Sequence, residues 1–357
     1  MRFKLAVLAI TIWVSAARAD RLVVVAGGGD RGDGAVAAEA KLIQPFGVDF
    51  GPDGTIYIVE MAGGERLRAV TTGGKLITLA GTVGKRGDAG DGGPGAAATF
   101  NGMHSLAVSR SGVVYLADTW NNRVRKFDVK TGIISRFAGT GEKGFAGDGG
   151  PAAAGQFGGC YCVALDTANK YLVITDLDNH RIRKVDLGSG VVNTIAGNGM
   201  AGVPKDGQMA LAQPLVDPRA AVVDNTGKLY ILERGGNALR VVNDDGKITT
   251  VAGTGKKGMG TGKALEAALN GPKHLCLDRD NTVLIADTEN HRIVRFDPQA
   301  GTLSTVAGTG KKGSAGVGGD PLKAELNQPH GVAVHPKTGE IYIADATNNR
   351  VLKIVRE

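Results

Sequence analysis

Six short apolar runs in this chain, aligned on their first apolar residue, carry Phe46, His104, Tyr161, Arg219, Lys273 and His330 at one shared place. These residue types could do chemistry. Neutral imidazoles such as those of His104 and His330 can ligate a divalent ion. Arg219 and Lys273 favour an anionic group, and the Tyr161 hydroxyl can donate or accept a hydrogen bond. His274 adds a third imidazole beside Lys273. Side chains alternate along a strand, so His274 is expected to point away from the side that Lys273 faces. A three-histidine metal set would then lack its third ligand.

Other candidates are weaker. Asp88 and Asp91 could contribute to a calcium site, but calcium needs six to eight oxygens and their spacing is not that of an EF-hand. Two Arg-Gly-Asp triplets, at Arg31 and Arg86, are expected by chance in a chain rich in all three residues. No Gly-x-Ser-x-Gly elbow and no Cys-His nucleophile signature occurs. Cys160, Cys162 and Cys276 read as small buried hydrophobes. A bridge between residues two apart would be strained, and the count of cysteines is odd.

The elements that must position these residues follow from a repeat. An acidic residue ends an apolar run at Glu60, Asp118, Asp176, Glu233, Asp287 and Asp345, at spacings of 58, 58, 57, 54 and 58. Ala-Gly ends another run at Ala26, Ala80, Ala138, Ala196, Ala252 and Ala307. Six of each mark six units. Within the fifth unit, strands are expected at 274–278, 283–286, 292–296 and 302–306, joined by turns and a polar loop. Four antiparallel strands repeated radially make a propeller blade. The sixth unit has strands at 331–334, 341–344 and 350–354 and then the chain ends. Arg21 to Gly27 matches the fourth-strand pattern of Thr302 to Gly308, so the N-terminal strand is expected to close the ring.

The fold class is therefore all-β, a six-bladed β-propeller of four-stranded antiparallel blades. Arg2 and Lys4 precede an apolar run at 5–14, and Ala17-Arg18-Ala19 is a small-x-small cleavage site. Residues 1–19 read as a signal peptide, residues 20–357 as a single domain, and the protein as secreted or periplasmic, with no membrane span in the mature chain. Removing residues 1–19 lowers the net charge from +7 to +4. With no Lys/Arg block and no aromatic-basic interleaving, nucleic-acid binding is disfavoured.

The run Ile343-Ala344-Asp345-Ala346-Thr347-Asn348-Asn349-Arg350-Val351 resembles the NHL repeat signature, as do Leu116 to Val124, Ile174 to Ile182 and Ile285 to Ile293. Units one and four depart from it, with Glu60-Met61-Ala62-Gly63-Gly64-Glu65 and Glu233-Arg234-Gly235-Gly236-Asn237. The loops Gly90-Asp91-Gly92-Gly93-Pro94 and Gly147-Asp148-Gly149-Gly150-Pro151 resemble those of bacterial NHL proteins and teneurin-like extracellular propellers. Repetition of the Asp/Asn/His/Arg loop argues for architecture rather than catalysis, because one active site needs one set of groups. His180 and His291 belong to that repeated loop and are not counted as ligands.

Strand direction places the starts of the innermost strands, the polar loops between the second and third strands and the long connections at one end of the central channel, where propellers bind ligands. The expected function is a binding or scaffold module whose channel mouth takes a protein, a glycan or a small polar ligand, with no cofactor firmly implied and enzymatic activity disfavoured. The resemblance to amidating lyases and lactonases, which are propellers that hold a metal in the channel, implies the alternative. That alternative is a metal-dependent lyase or hydrolase with its site at the channel mouth, a divalent metal (zinc or calcium) as cofactor, and His104 and His330 as candidate metal ligands.

Overall fold

The computed structural model describes residues 20–356. The expected signal peptide, residues 1–19, lies outside the described residues. Six antiparallel sheets follow one another along the chain. Blade five illustrates the pattern: His274–Leu277, Val283–Asp287, Arg292–Asp297 and Thr302–Ala307, strands a to d, are hydrogen-bonded in that order. The a strand of every blade touches the a strands of its neighbours. The ring is completed where Pro329–Val334 of blade six meets Pro45–Phe50 of blade one.

Blade six is closed by the N-terminus. Arg21–Gly27 pairs antiparallel with Arg350–Val355, with Leu22 opposite Ile354. Leu22 and Ala26 are fully buried. An aliphatic side chain removed from water contributes about 1.5–3 kcal/mol, so this strand fastens the two ends of the chain together.

The outer edges are covered as well. Short strands Gln208–Met209 and Gly262–Lys263 pair with the d strands of blades four and five. Isolated bridges such as Pro94–Ile133 do the same for blades one to three. In blade six, Gly318 and Gly319 bond to the backbone of Leu22. The long Gly-rich connections thus fold back along each d strand and occupy donors and acceptors that an open edge would offer to another chain.

The Ala-Gly mark has a steric cause. All six alanines are fully buried. The glycine after each has positive φ, and a Cβ there would lie 2.1–2.7 Å from a carbonyl oxygen just before strand c, such as His180 O at Gly197 or Asn122 O at Gly139. Only glycine permits that approach.

The repeated acids hold the blades together. Asp287 accepts from Asn270 N–H at 2.8 Å, from Asn290 Nδ2 at 2.8 Å and from Arg292 Nε at 2.8 Å. Asp345 repeats the set with Asn327, Asn348 and Arg350. Blades one and four use the longer Glu60 and Glu233, which still reach the Ile43 and Val216 N–H groups at 2.8 Å. The departure from the signature is a volume exchange. At Gly64 and Gly236 a Cβ would fall 2.4 Å from Glu60 Cβ and 2.5 Å from Glu233 Oε2. Where the acid is longer, the asparagine is replaced by glycine.

The Gly-Asp-Gly-Gly-Pro loops serve the same frame. Asp91 lies 2.9 Å from Arg125 and Asp148 lies 2.8 Å from Arg183, both arginines being fully buried. Asp33, in the shorter Gly-Asp-Gly echo, lies 2.6 Å from buried Arg68. Asp91 is therefore a counterion, and the Asp33 carboxylate of the first Arg-Gly-Asp triplet is bound inward to Arg68.

Candidate functional site at the channel mouth

Phe46, Tyr161, Arg219 and His330 each stand at a register shift of the a–b ladder. The pairing passes from Pro45–Glu60 to Gly47–Val59, from Cys160–Asp176 to Cys162–Thr175, from Pro218–Glu233 to Ala220–Leu232, and from Pro329–Asp345 to Gly331–Ala344. His104 lies within the equivalent shift of blade two, and Lys273 immediately precedes the first pair of blade five, His274–Ala286. A bulge leaves a residue unpaired and re-aims its side chain. Here five re-aimed residues, Phe46, His104, Tyr161, Arg219 and His330, come together.

Their contacts close one end of the channel. The Phe46 ring stacks on His330 with centroids 3.9 Å apart and meets His104 edge-on at 5.3 Å. His104 meets Tyr161 at 4.6 Å, and the Arg219 guanidinium lies 4.1 Å above the Tyr161 ring. Arg219 Nη2 then reaches His330 Nε2 at 3.4 Å across the axis. Lys273 turns instead to Glu289, with Nζ 3.0 Å from Oε1. Of the six residues aligned at the strand starts, all but Lys273 are joined by these contacts.

Both ring histidines are neutral donors. His104 Nδ1 bonds to Gly102 O at 2.8 Å and His330 Nδ1 to Phe46 O at 3.1 Å. A carbonyl accepts only, so the proton sits on Nδ1 and each Nε2 carries a lone pair. Burial, reinforced by the charge of Arg219, holds both imidazoles well below their ordinary pKa. Burial also lowers the Arg219 pKa to about 10.

His274 lies one layer deeper. Its Nδ1 accepts from Val332 N–H of blade six at 3.4 Å, and the residue borders a cavity of about 400 Å³ that opens on the opposite face among Asp49, Ser109 and Asp166. Strand alternation does not set its direction against that of Lys273, because the ladder begins at His274–Ala286 and Lys273 lies before it. Among the described residues no group of three His, Cys, Asp or Glu side chains is arranged to hold a metal. The Arg219 guanidinium also occupies the side of His330 Nε2 that a metal would need. The residues described do not form a three-histidine site.

Residues that the strand alignment does not name complete the mouth. The Trp120 ring lies 5.8 Å from His104, with Arg86 over it at 5.4 Å. Asp217, Arg234, Gly235, Lys257, Asn270, Gly271 and Glu289 line a cavity of about 600 Å³ between blades four and five. Aligning the b–c loops as well as the a strands would have exposed Trp120, Arg234, Gly235 and Glu289 among them.

Among the described residues eight arginines are buried, namely Arg68, Arg123, Arg125, Arg183, Arg219, Arg240, Arg292 and Arg350. Seven pair with a carboxylate within 4 Å. Arg219 pairs with none of the described carboxylates: Asp217, two residues away, is taken by Arg234 at 3.4 Å. A buried charge without a counterion is costly, so this guanidinium is organised for a negative group that the chain does not supply.

The chain is similar to proteins of known sequence and structure over most of its length. The profile of the NHL repeat matches residues 100–127, 269–296 and 326–354. NHL repeat-containing protein 2 of Gallus gallus is 23% identical over 88% of this chain and 47% of its own length. Teneurin-4 of Mus musculus is 25% identical over 87% of this chain and 12% of its own. The chain therefore spans less than half the length of either relative. Among solved structures, an auxiliary nutrient binding protein of Bacteroides thetaiotaomicron superposes with a TM-score of 0.68 at 14% identity, covering 95% of this chain and 77% of that one. A streptogramin B lyase superposes with a TM-score of 0.55 at 12% identity, covering 96% and 100%. At such identities the superpositions show the fold alone. No helix of the described residues is long and apolar enough to cross a membrane. The repeat profile and the blade geometry agree: the chain is a six-bladed β-propeller that carries NHL repeats in blades two, five and six.

Proposed function

We propose that this protein is an exported binding module that holds a protein segment, a glycan or a small polar ligand at the channel mouth. The observation that carries the reading is Arg219, a buried cation on the propeller axis with no carboxylate partner among the described residues. Sites of this kind hold anionic groups, because the desolvation is already met in the folded protein and the ligand recovers it. Export rests on the character of residues 1–19. The fold shared with a nutrient-binding protein is consistent with the reading. The test is retention of ligands from a panel of peptides, glycans and small anions. Arg219→Ala with Lys273→Ala should abolish retention without lowering the melting temperature, and unchanged retention would count against the reading.

One observation favours a second reading, a metal-dependent lyase or hydrolase. His104 and His330 are each oriented through Nδ1 by a carbonyl, an arrangement that commonly holds a metal-ligating imidazole in place, with rings 5.8 Å apart. Elemental analysis separates the two. About one transition metal per chain, lost in His104→Ala/His330→Ala, would favour the enzyme. Absence of metal from both proteins would leave the binding module.

A further inference from the structure

The internal repeat shows what Arg219 lacks. The a–b ladders pair Ala220 with Leu232 and His274 with Ala286, so Arg219 and Lys273 are equivalent residues of blades four and five. The b–c ladders pair Glu233 with Ala238 and Asp287 with Arg292. The intervening loops therefore have equal length, and Gly235 is the equivalent of Glu289. In blade five the loop carboxylate neutralises the ring cation, Glu289 against Lys273 at 3.0 Å. In blade four the loop residue is glycine and has no carboxylate to give. The cavity of about 600 Å³ lies beside this substitution, lined by Gly235 and by Glu289 itself.

We infer that the mouth binds the carboxylate of a ligand, which takes at Arg219 the place that the Glu289 side chain takes at Lys273. This rests on the binding reading above and narrows it to a ligand class. A planar guanidinium matches a carboxylate in two parallel hydrogen bonds. Arg219 meets His330 Nε2 and hydrogen-bonds with Tyr161, but neither partner is a described carboxylate, so neither balances its charge. The Tyr161 ring packs against one face of the guanidinium and fixes its plane. No bond is made or broken in the proposal; it concerns recognition.

Trp120, touching His104, reports on the mouth by fluorescence, and a Trp120→Phe control isolates any signal from Trp13 so that it can be subtracted. The probes are N-acetylglycine, its neutral isostere N-acetylglycinamide, and inorganic phosphate, each to about 100 mM, a range that reveals weak dissociation constants. N-acetylglycine should give a saturable change and the amide none. Arg219→Gln should weaken the acid at least about tenfold, as expected for loss of a charged hydrogen-bonding partner. Glu289→Gln, which leaves Lys273 without its partner, should strengthen it. Saturation by phosphate without N-acetylglycine would overturn the carboxylate assignment and keep the anion-binding mouth. Equal binding of acid and amide, or binding unchanged in Arg219→Gln, would overturn the role of Arg219. No response to any of the three would overturn both this inference and the binding reading beneath it.

Discussion

Arg219 Nη2 lies 3.4 Å from His330 Nε2, so blades four and six, which are not neighbours in the ring, meet at its axis. The contact is possible because both residues sit in bulges of their inner strands and leave the ladder to face the channel. It also fixes chemistry. The guanidinium donates to the lone pair that Nδ1 protonation leaves on His330, and this suits a neutral histidine.

An arginine retained for binding should be a liability for folding. Arg219→Met, which keeps most of the volume and removes the unpaired charge, is expected to raise stability by about 1 kcal/mol while abolishing anion binding. Denaturant unfolding of the two proteins checks this, and a less stable variant would show that the contacts to Tyr161 and His330 outweigh the buried charge.

Ring closure depends on the first described strand. Leu22→Ala should cost about 3 kcal/mol, because the fully buried side chain leaves a cavity between Arg21–Gly27 and blade six. Deleting residues 20–26 should lower the melting temperature further. A deletion variant that melts with the parent protein would refute closure by this strand.

The repeated acids are architectural. Asp287→Ala leaves Arg292 buried without its partner and Asn270 N–H without its acceptor, at an expected cost of about 3 kcal/mol. Binding at the mouth, measured below the melting transition, should be unchanged. Loss of binding at full stability would contradict the assignment.

His274 makes stability depend on pH. Burial lowers its pKa from 6.5 to about 4 in the folded protein. The unfolded chain therefore takes up the proton first, and the stability this group contributes above pH 6.5 is lost as pH falls towards 4. His274→Gln should be destabilised less than the parent between those values, and curves that run parallel from pH 7 to 4 would remove His274 as the cause. Asp49, facing the same cavity, shifts the opposite way: burial raises its pKa to about 6. Its contribution is present at low pH and lost as pH rises through 6, so comparison of single variants is needed rather than the parent curve alone.

Much of this protein is legible in its residue order. The acid and Ala-Gly marks give six units because each mark is a local requirement, an acceptor for a loop N–H or a glycine where two backbones approach. The closing strand is legible because Arg21 to Gly27 carries the same pattern as Thr302 to Gly308. The ring of Phe46, His104, Tyr161, Arg219, Lys273 and His330 follows from alignment of strand starts, since a repeat puts equivalent residues at equivalent places. Which of them is neutralised and which is not was decided only by the tertiary structure. Lys273 and Glu289 are 16 positions apart and Arg219 and His330 are 111 apart. Whether such pairs meet depends on how a bulge turns each side chain and on which loop arches over it, and neither is written in a local pattern. The unpaired charge of Arg219 is a property of the closed ring, because a missing counterion can be recognised only when every surrounding group has a place.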